Sequence, residues 1–181
     1  MIHRLLLIAS LLAVPAFAGE LEGVKVPDTL EVAGKTLKLN GQGLRVKVFF
    51  KVYVGSLYVE NPSKDGAAIL SADEVRRVEM TMLRDVTRAQ LEDAIRDGVK
   101  ANAANYDAVK DRLEALLGKF ANAKKGESVI VQYVPGKGTT VELGAVKHTT
   151  EGKDFADALF SAWLGKKPAD RNLQKGMLGV K

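Results

Sequence analysis

The run Leu44 to Val59 is built largely of Val, Phe, Leu and Tyr. Such side chains lose rotamer freedom against the preceding turn of a helix and fit a pleated surface instead, so this run commits the middle of the chain to a sheet. Even positions Leu44, Val46, Val48, Phe50, Val52 and Val54 form an apolar set, and odd positions carry Arg45, Lys47, Phe49, Lys51 and Tyr53. The even face is expected in the core and the odd face is mixed. Asn40-Gly41-Gln42-Gly43 reads as a turn leading in, and Asn61-Pro62-Ser63 stops the strand and can cap a short helix through Leu70.

The rest of the chain supplies partners for that strand region. Leu21 to Leu39 reads as short strands broken at Pro27-Asp28 and Ala33-Gly34-Lys35, burying Leu30, Val32, Leu37 and Leu39. Val75 to Leu83 alternates again, with Val78, Met80 and Met82 on one face and Arg77, Glu79 and Thr81 on the other. Thr87 with Gln90 forms a capping box, and Leu91, Ile95 and Val99 continue at helical spacing through Ala101. A second helix places Tyr106, Val109, Leu113, Leu116 and Phe120 on one stripe. Val129 to Val134, the turn Pro135 to Gly138 and Thr139 to Val146 read as a hairpin. The helix Asp154 to Leu164 carries Phe155, Leu159, Phe160 and Trp163, and Pro168-Ala169-Asp170 opens a last short helix ending near Gly179. Strands, helices, strands, helices, without strict β-α-β alternation, predict an α+β fold in which helices back a mainly antiparallel sheet.

Residues 1–18 have a different character. A basic start, the apolar run Leu5 to Val14 and the small residues of Ala16-Phe17-Ala18 predict a secretory signal peptide cleaved after Ala18, because the apolar core is well short of the ~20 residues a spanning helix needs. Residues 19–181 are then one domain, periplasmic or secreted. Removal of the segment takes away Arg4 alone among the charged side chains, which lowers the formal charge from +5 to +4.

The remaining composition excludes several chemistries. With no Cys and with His3 and His148 as the only histidines, neither a thiolate site nor a His-rich metal centre can be built, and no metal or cofactor is expected. Basic residues are interleaved with acids, which argues against nucleic acid as a partner. His148 sits in a polar stretch after the hairpin with no nucleophile motif around it, and reads as a solvated loop residue. Gly136-Lys137-Gly138-Thr139 lacks P-loop spacing and is a turn. Glu92, Asp93 and Asp97 lie on the polar side of their helix. Arg45 stands out at the entrance of the most apolar region, where a guanidinium must be solvated, paired with an acid or reserved for an anionic ligand.

Three segments carry a family resemblance: Asn40 to Arg45, Phe50-Lys51-Val52-Tyr53-Val54-Gly55-Ser56-Leu57-Tyr58-Val59, and Ala162-Trp163-Leu164-Gly165-Lys166-Lys167-Pro168. Together they resemble the chalcone isomerase superfamily, in its bacterial chalcone isomerase-like branch. The resemblance covers nearly all of residues 19–181. It implies an open-faced β-sandwich, a large antiparallel sheet covered by a layer of helices, with a ligand cleft between them. Members that cyclise chalcones use an arginine, a threonine, a Tyr-x-x-Lys-x-x-x-Asn helix face and a late Ser or Thr. By motif these positions fall on Arg45, Tyr53, the trio Leu91, Ala94 and Gly98, and Ala156, so the arginine alone is retained.

Loss of even one donor aimed at developing charge commonly costs about 10²–10³ in rate, so the resemblance implies a greasier cleft without that chemistry. The expected role is binding of a small apolar anion such as a fatty acid, as in the non-catalytic relatives of the superfamily. Arg45 would meet the carboxylate, Tyr53 would supply a hydroxyl donor, and Met80, Met82, Leu91, Ile95, Phe155 and Leu159 would line the tail. Met80 and Met82 also serve as core filler, as can the other lining candidates. An isomerase or lyase with Arg45 as electrophile, and an envelope protein whose cleft is closed by its own side chains, are the alternatives. Eight residues along one straight strand span ~26 Å, so Arg45 and Tyr53 can share a head group only if the chain reverses. The resemblance implies a bend near Lys47 to Phe49.

Overall fold

In the computed structural model, which describes residues 17–180, the run from Leu44 onward is two antiparallel strands, β4 (Lys35–Lys47) and β5 (Phe50–Val59), joined through Val48-Phe49. The signal-peptide reading and its cleavage point lie outside the described residues, apart from the backbone of Phe17 and Ala18. Three short strands precede the pair: β1 (Phe17–Leu21), β2 (Val24–Pro27) and β3 (Thr29–Val32). After it come α1 (Gly66–Ser71), β6 (Arg76–Met82), α2 (Arg88–Asn102), α3 (Tyr106–Leu117), β7 (Ser128–Val134), β8 (Gly138–Leu143), β9 (Val146–Thr150), α4 (Lys153–Leu164) and α5 (Arg171–Met177).

Strands β3 to β9 form one curled antiparallel sheet in sequence order, and β1 pairs with β2 in a separate hairpin. The helices cover one face, giving the expected α+β architecture of a large antiparallel sheet under a helical layer. The main core lies between them, where Val78, Met80 and Met82 of β6 meet Leu91, Ile95 and Val99 of α2 and Phe155 and Leu159 of α4. A smaller cluster of Val26, Val32, Leu37, Tyr58 and Val75 fills the opposite face, and the Tyr58 hydroxyl donates to the Pro27 carbonyl at 2.9 Å. Among the described residues no helix is long and apolar enough to cross a membrane.

Local signals explain most boundaries. Thr87 and Gln90 exchange both hydrogen bonds of the capping box at the start of α2. Asp65, rather than Ser63, caps α1 by accepting from the Ala67 N–H at 2.8 Å. The strand expected over Thr139 to Val146 divides at Gly144-Ala145 into β8 and β9, so His148 belongs to an edge strand opposite Val141 and is not a loop residue.

Asn40 to Gly43 is not a turn. These residues run inside β4, and the glycines are required by a neighbour more than a hundred residues away. A Cβ on Gly41 would lie 2.2 Å from the Gly176 carbonyl oxygen, and one on Gly43 would lie 2.1 Å from that of Leu173. Helix α5 therefore lies directly on the backbone of β4. Gly43 pairs with Gly55 of β5, where a Cβ would meet Leu173 and Met177 side chains at 3.0 and 3.2 Å. The expected even and odd faces do not hold along the whole run: Arg45 and Tyr53 of the odd set border the cavity on the helical side, Val54 of the even set is fully buried, and Val48 and Phe50 are exposed at the hairpin end.

A second charged residue of the inner face was not singled out by the sequence. Arg76 continues the alternation of Val78, Met80 and Met82, and is 2% exposed. Its Nη1 donates to the carbonyls of Ile69, Leu70 and Ala72 at the end of α1, and its Nη2 donates to Asp157. The guanidinium carbon lies 4.9 Å from the ring centres of both Tyr133 and Phe160. Asp157 also accepts from Lys153 at 2.6 Å.

Candidate functional site

A cavity of about 770 Å³ opens between the β4–β5–β6 end of the sheet and helices α2 and α4. Its floor is apolar: Val52, Met80, Val86, Leu91, Ile95 and Trp163. Its rim is charged, with exposed Lys47, Arg84 and Lys167 together with Asp93 and Asp97 of α2. Arg45 and Tyr53 stand at the sheet side of the wall.

The hairpin reversal at Val48-Phe49 makes Arg45 and Tyr53 direct cross-strand partners, despite their separation in sequence. Directly opposed side chains in an antiparallel pair have Cβ atoms about 4.5–5.5 Å apart, close enough for one head group to reach both. Of the three options open to Arg45, the structure shows an acid partner at a ligand-sized cavity. Nη1 donates to the Val46 carbonyl at 2.7 Å and lies 3.4 Å from Asp170 Oδ2. The Asp170 contact is longer than the 2.7–2.9 Å of a strong charge-assisted hydrogen bond. Asp170 is engaged elsewhere, accepting from the backbone N–H groups of Val46, Asn172 and Leu173 at 3.0, 2.8 and 3.1 Å. Among the described residues, Arg45 Nε and Nη2 have no hydrogen-bond partner, and the side chain keeps 18% exposure.

Tyr53 accepts a hydrogen bond from Trp163 Nε1 at 3.2 Å, and its own hydroxyl hydrogen has no acceptor among the described residues. Burial pushes the Tyr53 phenol up to about 12, outweighing the Trp163 hydrogen bond and the Arg45 charge, so it stays a neutral donor at physiological pH. For Asp170, burial alone would raise the carboxyl. The N–H groups of Val46, Leu173 and Asn172, with Arg45, outweigh burial and hold it below the usual carboxylate range. A depressed carboxyl contributes stability that is present above its unfolded value of about 3.9 and is lost as pH falls through the lower folded value. We therefore expect hydrogen exchange of α5 amides, corrected for intrinsic rates, to keep one protection level from pH 8 to about 5 and to lose protection below about 4. An Asp170→Asn variant should lack that acid step.

Of the expected lining residues, Met80, Leu91 and Ile95 are on the wall with Arg45 and Tyr53. Met82, Phe155 and Leu159 are not. Met82 is packed in the core cluster that contains Val86 and Ala123. On α4 the cavity reaches Ala162 and Trp163, whereas Phe155 lies about 12 Å back along the helix at 1.5 Å per residue, with Leu159 halfway. Leu91, Ala94 and Gly98 of α2 all border the cavity, but Ala156 is fully buried away from it. Asp170, Trp163 and Arg84 were not expected at the site. Asp170 carried a signal: an N-cap carboxylate needs one oxygen for its helix and leaves the other for a cation.

The sequence profile described as chalcone isomerase-like matches residues 18–179. The chain belongs to the chalcone isomerase-like family. No curated protein matches it by sequence. Among solved structures, an Arabidopsis thaliana fatty-acid binding protein superposes with a TM-score of 0.67, covering 86% of this chain and 92% of that one at 12% identity. At that identity the likeness is one of fold. This cavity keeps the Arg45 cation at one end, and Leu91, Ala94 and Gly98 border it on the α2 side.

Proposed function

We propose that this protein is a non-catalytic periplasmic binder of a fatty acid or similar apolar anion, held in the cavity between sheet and helices. The observation that carries the proposal is an apolar cavity that borders Arg45, a guanidinium with two nitrogens unspent, beside a neutral Tyr53 hydroxyl with a proton to give. Its volume, about 770 Å³, falls within the ~300–1,000 Å³ typical of small-ligand sites. A carboxylate there would receive one charge-assisted and one neutral hydrogen bond, while its tail would lie against Met80, Leu91 and Ile95. The fatty-acid binding function of the Arabidopsis protein of the same fold supports this reading. The open rim favours a ligand over a cleft closed by its own side chains. Cyclisation chemistry would need donors along α2 that Leu91, Ala94 and Gly98 cannot supply, so a chalcone should not be turned over.

Native mass spectrometry of gently purified protein, followed by titration with a long-chain fatty acid, tests the proposal. We expect lipid adducts on the wild type. Arg45→Ala should weaken binding about ten- to a hundredfold, and Tyr53→Phe by about three- to tenfold, as charged and neutral hydrogen bonds differ. Equal affinity in Arg45→Ala would sink the anchor. The same masses read the N-terminus, which the signal-peptide reading expects at Gly19 in an exported form.

A further inference from the structure

Three consecutive apolar residues stand in solvent at the β4–β5 hairpin end: Val48 is 75% exposed, Phe49 91% and Phe50 61%. Runs of this kind are unfavourable on a soluble surface unless something uses them. Backbone geometry displays them: Val48 has φ +59°, a left-handed conformation costly for a β-branched residue, and this turn sends Phe49 outward instead of back onto the sheet. Cations ring the tip. The Arg84 guanidinium lies 4.8 Å from the Phe50 ring centre, and Lys47 and Lys51 flank the turn. Lys51 is held by Glu22 at 2.7 Å, whereas Lys47 and Arg84 have no carboxylate partner among the described residues. Lys47, Val48, Phe50 and Arg84 also belong to the cavity rim, so the tip and the mouth are one surface.

The geometry points to a membrane-docking tip: Val48, Phe49 and Phe50 enter the headgroup layer of an anionic bilayer while Lys47 and Arg84 meet lipid phosphates, with the cavity mouth turned towards the lipid. A protein partner fits less well, because a stable interface buries about 800 Å² on each side and three side chains on a narrow turn offer far less. A bilayer needs only a shallow wedge, about 5–10 Å deep, and each nearby basic residue adds attraction to an anionic surface. Asp93 and Asp97 lie on the α2 side of the rim, which fits docking by the hairpin edge rather than by the whole mouth. Docking of this kind requires no ligand in the cavity.

The test uses the full chain carrying Phe49→Trp, with the wild type, whose Trp163 lies on the cavity floor, as the control whose emission is subtracted. On vesicles of phosphatidylethanolamine with phosphatidylglycerol, we expect the emission of the new tryptophan to shift to the blue and to be quenched by brominated lipid. On phosphatidylcholine vesicles the shift should be much smaller. In co-sedimentation, Phe49→Asp should lower vesicle binding by on the order of tenfold or more, and Lys47→Glu by about tenfold. Phe49 does not border the cavity, so fatty-acid affinity in Phe49→Asp should equal that of the wild type, which separates this proposal from the cavity reading. Emission at position 49 that does not change on anionic vesicles, or that shifts equally on phosphatidylcholine, overturns the docking tip.

Discussion

Replacing Arg76 by alanine is expected to destabilise the fold by about 3–5 kcal/mol, the usual cost of removing one partner from a buried, hydrogen-bonded charge arrangement. At this chain length that is a fall in Tm of roughly 10 °C or more. The carbonyls of Ile69 and Ala72 at the end of α1 would lose their side-chain donor, that of Leu70 would keep Lys153, and the gap between the Tyr133 and Phe160 rings would be left empty. Asp157 keeps Lys153 and some solvent, so the loss falls mainly on α1 and the aromatic pair. Arg76→Met separates the contributions: it fills volume without capping carbonyls, and should recover about a third of the loss. A urea midpoint that Arg76→Ala leaves unchanged would refute the account.

Gly43→Ala should be the most damaging single-methyl addition near the site. The new Cβ would sit 2.1 Å from the Leu173 carbonyl oxygen and 2.8 Å from the Leu173 Cα, both backbone atoms that no rotamer change can move aside. Overpacking of this kind costs typically about 1–3 kcal/mol. We expect α5 to lift from β4, with faster amide exchange over residues 171–177. Because Asp170 caps α5 and holds the Val46 N–H beside Arg45, fatty-acid binding should weaken as well, although residue 43 is not on the cavity wall. Unfolding and exchange identical to the wild type would show that the close approach is absent in solution.

These two residues also show where reading the sequence stops. Alternation in β6, the Thr87-Gln90 cap and the short C-terminal helix were legible because each depends on neighbours within a few residues. Asn40 to Gly43 reads as a turn because clustered glycines ordinarily supply turns. Here they make room for a helix contributed by residues 171–177, a tertiary fact with no local trace. Arg76 was legible in principle: it shares the parity of Val78, Met80 and Met82, and a buried arginine on an inner face calls for a partner. Met82, Phe155 and Leu159 read as lining because a side chain facing a cavity and one facing the core obey the same periodicity. Depth along α4 separates Phe155 and Leu159 from Trp163, and periodicity does not encode depth.

The pairing of Arg45 with Tyr53 came from the family resemblance and one arithmetic constraint: a straight strand is too long. The hairpin satisfies it. The helix-opening role of Asp170 is local, but the contact of its second oxygen with Arg45 joins residues 125 apart and leaves no local trace.

The α5 clasp has a consequence for the order of assembly. Asp170 and α5 supply the carboxylate beside Arg45 and the helix seated on β4, so the charged end of the cavity joins residues 125 apart in the chain. Closing so long a loop comes late on entropic grounds. A nascent chain carrying every strand of the sheet would still have an unfinished pocket, which is completed only once Asp170 and α5 have been made.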